Sequence, residues 1–207
     1  MIHTHRSVPR QMITYWAAVV RRVAPAAGLI ALAVGGVVLA VLLVADGAPL
    51  ASALGQSALA GLTCGAAFLL VVPVPDTVTA VRTASHYGLS LEPVAARLPA
   101  VRRVTADSPG ATPFQLADSA LHAIKMARTP VVAEVQELGH GKVALICRTP
   151  YGPLVQVSID ITVADEGGTV AAIDCRPTVA WKRLDGGASW AIAGTLERQV
   201  RAALSTN

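Results

Sequence analysis

The feature that most constrains this chain is a pair of long uncharged segments separated by a short polar turn. Residues 24–45 read APAAGLIALAVGGVVLAVLLVA, and residues 50–72 read LASALGQSALAGLTCGAAFLLVV. Asp46, in the turn, is the only Asp, Glu, Lys or Arg residue between positions 23 and 74. A helix of about 20 apolar residues spans a bilayer core, and lipid requires the backbone to satisfy its own hydrogen bonds. The pattern therefore predicts a transmembrane helical hairpin over residues 24–74.

Prolines mark the ends of the second apolar segment. Pro49 suits the first turn of a helix, where its missing N–H group costs no hydrogen bond. Pro73 and Pro75 are predicted to end the helix on the other side of the membrane. Asp46 is expected in headgroups or water, because a carboxylate in the middle of a bilayer is energetically expensive.

The distribution of arginines predicts the orientation of the hairpin. Four arginines precede the first segment and four follow the second, whereas the turn between them has none: Arg6, Arg10, Arg21 and Arg22 come before, and Arg82, Arg97, Arg102 and Arg103 come after. Basic residues near membrane spans favour the cytoplasmic side. We expect an inner-membrane protein with both termini and the C-terminal domain in the cytoplasm. The segment 1–23 is expected to be basic and partly an interfacial helix, with Tyr15 and Trp16 near the headgroups.

Two rival interpretations would place the C-terminal domain on the other side of the membrane. The first apolar segment could belong to a cleaved signal peptide, although its 22 residues exceed the usual apolar region of such a signal and a second segment follows. Arg21 and Arg22 could form a twin-arginine export signal, although the residues that follow them lack the expected bulky apolar side chains.

Small residues recur at four-residue spacing in both apolar segments. Such residues allow close approach between helices in lipid, where no hydrophobic driving force exists. The pattern predicts that the two spans pack against each other, that they dock onto another membrane subunit, or both. The predicted helix-packing residues are Ala31, Gly35, Gly55, Gly61 and Gly65.

The remainder of the chain is predicted to be a connector followed by a soluble domain. Residues 75–112 contain four prolines and three clustered arginines, and they are expected to lie on anionic headgroups or to form a solvated tether. Residues 113–207 hold nine basic and nine acidic side chains, a balance typical of a soluble domain. Because this domain has no excess positive charge, binding to nucleic acid is not expected.

Hydrophobic periodicity predicts the elements of this domain. Apolar residues recur at helical spacing in residues 114–128 and 189–204, and four segments between them alternate or pair across turn-forming residues. The predicted strands are 131–137, 142–148, 154–163 and 169–176. Short connections indicate an antiparallel meander with helices on one face, which is an α+β domain of order αββββα.

The best candidate binding site is the segment WKRLDGGASW at residues 181–190. Two cations, a glycine loop and a helix start together could hold an anion or a lipid headgroup. An ordinary glycine loop with an N-capped helix, in which Asp185 or Ser189 is the cap, is the simpler interpretation. The candidate residues are Lys182, Arg183, Gly186, Gly187 and Ser189.

No spacing in the chain matches a nucleophile, phosphate-loop or metal-ligand signature, and the three cysteines do not form a complete disulfide framework. We therefore expect no catalytic residues, no cofactor and no metal site. The leading hypothesis is a non-enzymatic accessory or scaffolding subunit of a larger membrane complex, in contact with membrane lipids and other integral subunits. The alternative is a membrane-tethered module that binds a lipid headgroup or another anionic ligand.

Overall fold

The computed structural model describes residues 8–107, 111–163, 168–179 and 184–205, in which long helices precede an α+β domain. In chain order the elements are α1 (Val8–Val44), α2 (Leu50–Val71), α3 (Pro73–His86), a 3₁₀ helix (Pro93–Ala96), β1 (Ala100–Asp107), α4 (Pro113–Ala127), β2 (Val131–Gly139), β3 (Lys142–Arg148), β4 (Val155–Val163), β5 (Gly168–Pro177) and α5 (Ala188–Leu204).

The first two helices form an antiparallel hairpin that is long and apolar enough to cross a membrane. α1 has 37 residues, which corresponds to a length of about 55 Å at the usual rise per residue. Large apolar side chains cover the outer sides of both helices and are more than half exposed, as in Leu29, Leu32, Leu59 and Leu62. The helices are therefore not the interior of an aqueous globule in this structure.

α2 ends at Val71, just before Pro73, as the prolines predicted, but another helix follows without a loop. Val72 has right-handed helical backbone angles and donates its N–H to the Phe68 carbonyl, so α2 leads directly into α3. Pro75 does not end a helix but lies in the first turn of α3. Pro73 begins α3, and proline is tolerated in the first turn of a helix because its missing N–H would have no intrahelical partner there.

The sheet has five antiparallel strands in the order β1-β5-β4-β3-β2. The order β2 to β5 is the predicted meander, but the four-stranded prediction omitted β1. This strand lies within residues 75–112, the predicted connector, and pairs with β5 from Ala100↔Cys175 to Asp107↔Gly168. Because β1 is an edge strand, Arg102 and Arg103 can keep their charged groups near solvent while the buried Val104 contacts the core.

Helices α4 and α5 cover one face of the sheet. β4 shows the predicted alternation, with Val155, Val157, Ile159 and Ile161 buried against the helices. α4 begins with a capping box in which Thr112 and Gln115 satisfy each other's backbone N–H groups. The predicted His140 turn is present, since His140 and Gly141 both have positive φ, as a tight two-residue hairpin requires.

β2 departs from the predicted regular alternation. Its register against β3 shifts twice, between Val132 and Glu134 and between Val135 and Glu137. Each bulge adds one residue to β2. The residues of β2 that pair with the buried residues of β3 are therefore three positions apart, at Val132, Val135 and Leu138. β2 is the second edge of the sheet, and bulges at an edge disfavour pairing with another chain.

Candidate functional site

Small residues bring α1 and α2 into close contact. A methyl group added at Gly61 would overlap the Ala31 carbonyl oxygen, and one added at Gly65 would lie 3.0 Å from the Ala31 Cβ. A methyl group at Gly35 would lie 3.1 Å from the Ser57 carbonyl oxygen. Four of the five predicted packing residues therefore lie in the contact between the two helices of this chain.

Gly55, the fifth predicted packing residue, lies elsewhere on α2. It is exposed, and a methyl group added there would meet no atom within 4 Å. Its spacing from Gly61 is six residues, which places it on a different side of the helix.

The long helices extend past their apolar segments to form a junction with the domain. Tyr15 and Val19 of α1 pack in one cluster with Tyr87, which follows α3, and with Trp190 and Ala191 of α5. Tyr15 is only 1% exposed. Its predicted place among the headgroups is therefore wrong, because its ring is packed inside the protein.

One carboxylate ties three parts of the chain together at this junction. The Tyr15 hydroxyl donates to Asp76 Oδ2 at 2.8 Å, and the Gly186 backbone N–H donates to Asp76 Oδ1 at 2.7 Å. Asp76 lies in the first turn of α3, so it links α1 to the loop before α5. Hydrogen bonds to an ionised acceptor are stronger than neutral ones, and this pair restrains the domain relative to the helices.

A second carboxylate lies at the start of α5. The N-cap of α5 is Gly187, so the prediction that Asp185 or Ser189 is the cap was wrong. The buried Asp185 lies two residues before the N-cap and accepts the Ser189 N–H at 2.8 Å. Burial raises the pKa of Asp185 above its ordinary value, and hydrogen bonds from the start of α5 oppose part of that rise. The site is therefore a buried carboxylate held by backbone N–H groups.

The predicted anion-binding segment is only partly described. Lys182 and Arg183 lie outside the described residues, and anion binding by this segment stays a prediction. Of the described members, Gly186 and Ser189 already donate their N–H groups to carboxylates of the chain itself, Asp76 and Asp185. An anion at these two N–H groups would have to displace carboxylates that already occupy them.

The glycines of this segment permit close packing against α3. Gly186 and Gly187 both have positive φ, and a side chain at Gly186 would overlap Thr79. The chain can therefore bring the start of α5 against the side of α3 only with a residue that lacks a Cβ at position 186.

The sheet face away from α4 and α5 is polar and open. Gln156 and Thr162 of β4 are exposed, and Ser158 and Asp160 are half-buried beside them. On β5, Asp174 forms a two-point ion pair with Arg176, with distances of 3.1 and 2.6 Å. On β4, the Ser158 hydroxyl donates to Asp160 Oδ2 at 3.4 Å.

The described cysteines do not form a disulfide. Cys147 and Cys175 are both buried and free, and strand β4 lies between the strands that carry them. Burial raises the pKa of Cys147 to about 12 and raises that of Cys175 as well. Within the described ranges, no group of three His, Cys, Asp or Glu residues is placed to hold a metal ion.

No protein-family model, curated protein or solved structure matches this chain.

Proposed function

We propose that this protein is an integral membrane scaffolding subunit that holds its α+β domain at a fixed position beside the membrane for assembly with other subunits. The observation that carries the proposal is the continuity of the two long helices with the domain. Their outer sides are apolar and exposed, and their ends pack into the junction around Tyr15 and Asp76. A hydrophobic stretch that only anchored the domain would not need this buried contact.

The exposed apolar surface supports insertion in lipid. Burying a leucine side chain is worth roughly 1.5–3 kcal/mol, so an uncovered row of leucines and valines strongly favours a nonaqueous environment. Arginines lie at one end of the hairpin and the acidic turn at Asp46 lies at the other. This asymmetry supports a cytoplasmic location for the domain and an external location for the turn.

The open sheet face is the surface that best fits a protein partner. It has a fixed orientation relative to the helices, because α5 packs on the opposite face and also joins the junction through Trp190 and Ala191. Its small residues, such as Ala144 and Ala172, allow another surface to approach closely. We infer a non-catalytic role because the two carboxylates at the junction, Asp76 and Asp185, already accept hydrogen bonds from other groups of the chain.

Co-purification tests this proposal. The native chain, extracted in mild detergent and cross-linked, should run as a particle much larger than one chain of 21.3 kDa and should yield defined membrane proteins by mass spectrometry. A monodisperse single chain under the same conditions would contradict the scaffolding role.

A pair of substitutions can then test the surface. Ala144→Arg places a cation opposite Glu137, and Ala172→Gln places a long neutral side chain between Arg103 of β1 and Asp160 of β4, so neither change sets like charges opposite each other. The double variant should fold and lose the co-purifying subunits. The matched control, Ala127→Arg with His122→Gln on the exposed side of α4, should retain them. Retention by both variants would exclude the open face as the docking surface.

A further inference from the structure

A groove with three arginines lies between α1 and the 3₁₀ helix. The groove has a volume of about 530 Å³. Its walls include Arg21 and Arg22 of α1 and Arg97, the residue that follows the 3₁₀ helix. Apolar side chains of Ala18, Pro93 and Val94 complete the lining. Cations therefore converge from two segments that are more than 70 residues apart in sequence.

The groove is held in shape by the protein itself. Arg22 donates from Nη1 to the Ala96 carbonyl at 2.6 Å, and Ala95 and Ala96 are buried against α1 in the junction cluster. Arg21 and Arg97 are exposed and flank this fixed guanidinium. A planar guanidinium with several donors is well suited to phosphate oxygens.

The lining of the groove contains no acidic side chain. The ion pairs made by Glu197 and Asp174 involve other arginines, namely Arg102, Arg176 and Arg201. Clustered like charges repel one another, and a bound anion would relieve this repulsion.

The position of the groove identifies the anion. Arg22 is the last charged residue before the uncharged segment 24–45, so the groove lies where the helix would leave the hydrocarbon core. A lipid phosphate occupies this depth, and its acyl chains can continue along the apolar sides of α1. We propose that Arg21, Arg22 and Arg97 form a binding site for the headgroup phosphate of an anionic phospholipid. This inference rests on the membrane insertion included in the proposed function.

Native mass spectrometry of the detergent-purified full chain tests this site. With added phosphatidylglycerol or phosphatidylcholine, the unmodified chain should retain phosphatidylglycerol preferentially. Arg21→Gln with Arg97→Gln should weaken phosphatidylglycerol binding by about 30-fold, from about 1 kcal/mol per basic residue near a lipid surface and 1.4 kcal/mol per tenfold. Arg22 is left unchanged because it also holds the Ala96 carbonyl.

The matched control is Arg103→Gln with Arg148→Gln, which removes the same charge from exposed positions on the sheet. This control should bind phosphatidylglycerol as the unmodified chain does. An equal loss in both double variants would show diffuse attraction and overturn the site. Displacement of the lipid by an equal concentration of inorganic phosphate would show a site for free phosphate and also overturn the proposal. Because the measurement uses the isolated chain, its failure is distinguishable from failure to assemble with other subunits.

Discussion

At the scale of single residues, the Tyr15–Asp76 contact is the most informative link between the hairpin and the domain. Tyr15→Phe keeps the buried ring but removes the hydroxyl that donates to Asp76 Oδ2. A hydrogen bond to a charged group contributes roughly 1.5–3 kcal/mol, so the variant should unfold at a lower denaturant concentration in detergent. Tyr151→Phe, at a side chain that is half exposed, should show no comparable loss. Equal midpoints for the two variants would mean that the contact does not stabilise the junction.

Asp185 should give the protein a characteristic pH dependence. Its folded-state pKa is raised above the ordinary value of 3.8, so the folded state binds the proton more tightly than the unfolded state. Its contribution to stability is therefore most favourable at low pH and declines as pH rises above about 3.8 towards the folded-state pKa. Subtracting the unfolding free energy of Asp185→Asn from that of the unmodified chain should leave a difference that falls with pH over this window. A difference that rises with pH would contradict the raised pKa.

At the scale of elements, the contact between α1 and α2 depends on residues without a side chain. Gly61→Ala adds a methyl group against the Ala31 carbonyl oxygen, and overpacking of this kind typically costs about 1–3 kcal/mol. Gly55→Ala adds the same methyl group where nothing lies within 4 Å, so it should be neutral or slightly stabilising. Titration with a denaturing detergent, monitored by helix content, should separate these two variants. Equal behaviour would indicate that the helices do not pack through Gly61.

The sequence predicted those elements whose burial follows a simple period. Strand β4 alternates strictly, and the predicted range 154–163 differs from the observed Val155–Val163 by one residue. Strand β1 was missed because an edge strand tolerates charges, so Arg102 and Arg103 concealed its alternation. The bulges of β2 were missed because an inserted residue shifts the period without leaving a specific residue signature.

The candidate sites were less predictable than the elements, because their members are remote in sequence. Tyr15 and Asp76 are 61 residues apart, and Asp76 and Gly186 are 110 residues apart. The arginine groove likewise forms only because the fold brings Arg97 next to Arg21 and Arg22 of α1. A local pattern such as Gly186-Gly187 could suggest a binding loop, but only the fold showed which groups occupy its N–H donors.

At the scale of the whole molecule, the junction makes the hairpin and the domain mechanically continuous. α1 passes from the apolar segment into the cluster that contains Tyr15 and Val19, and the same cluster includes Trp190 from α5. The hydrogen bonds of Asp76 add a polar restraint at the same place. A change in the tilt of the helices relative to the domain would therefore have to break these contacts, and this restraint is what the proposed scaffolding role requires.

The arrangement of charges across the whole chain predicts opposite locations for the helical turn and the end of α5. Asp46→Cys places a thiol in the turn between α1 and α2, and Ser205→Cys places one directly after α5. Both positions are exposed. A maleimide that does not cross membranes should label the Asp46 variant in intact cells. It should label the Ser205 variant only after the membrane is permeabilised, because the arginine-rich end favours the cytoplasm.

The native cysteines should not react with the maleimide in intact cells. Cys147 and Cys175 are buried, and their raised pKa values suppress the reactive thiolate. Cys64 is exposed on α2 in the segment expected within lipid, where a water-soluble reagent does not reach it. The unmodified chain should therefore remain unlabelled in intact cells. Labelling of Cys64 there would show that the hairpin faces water, and labelling of the Ser205 variant without permeabilisation would reverse the proposed orientation.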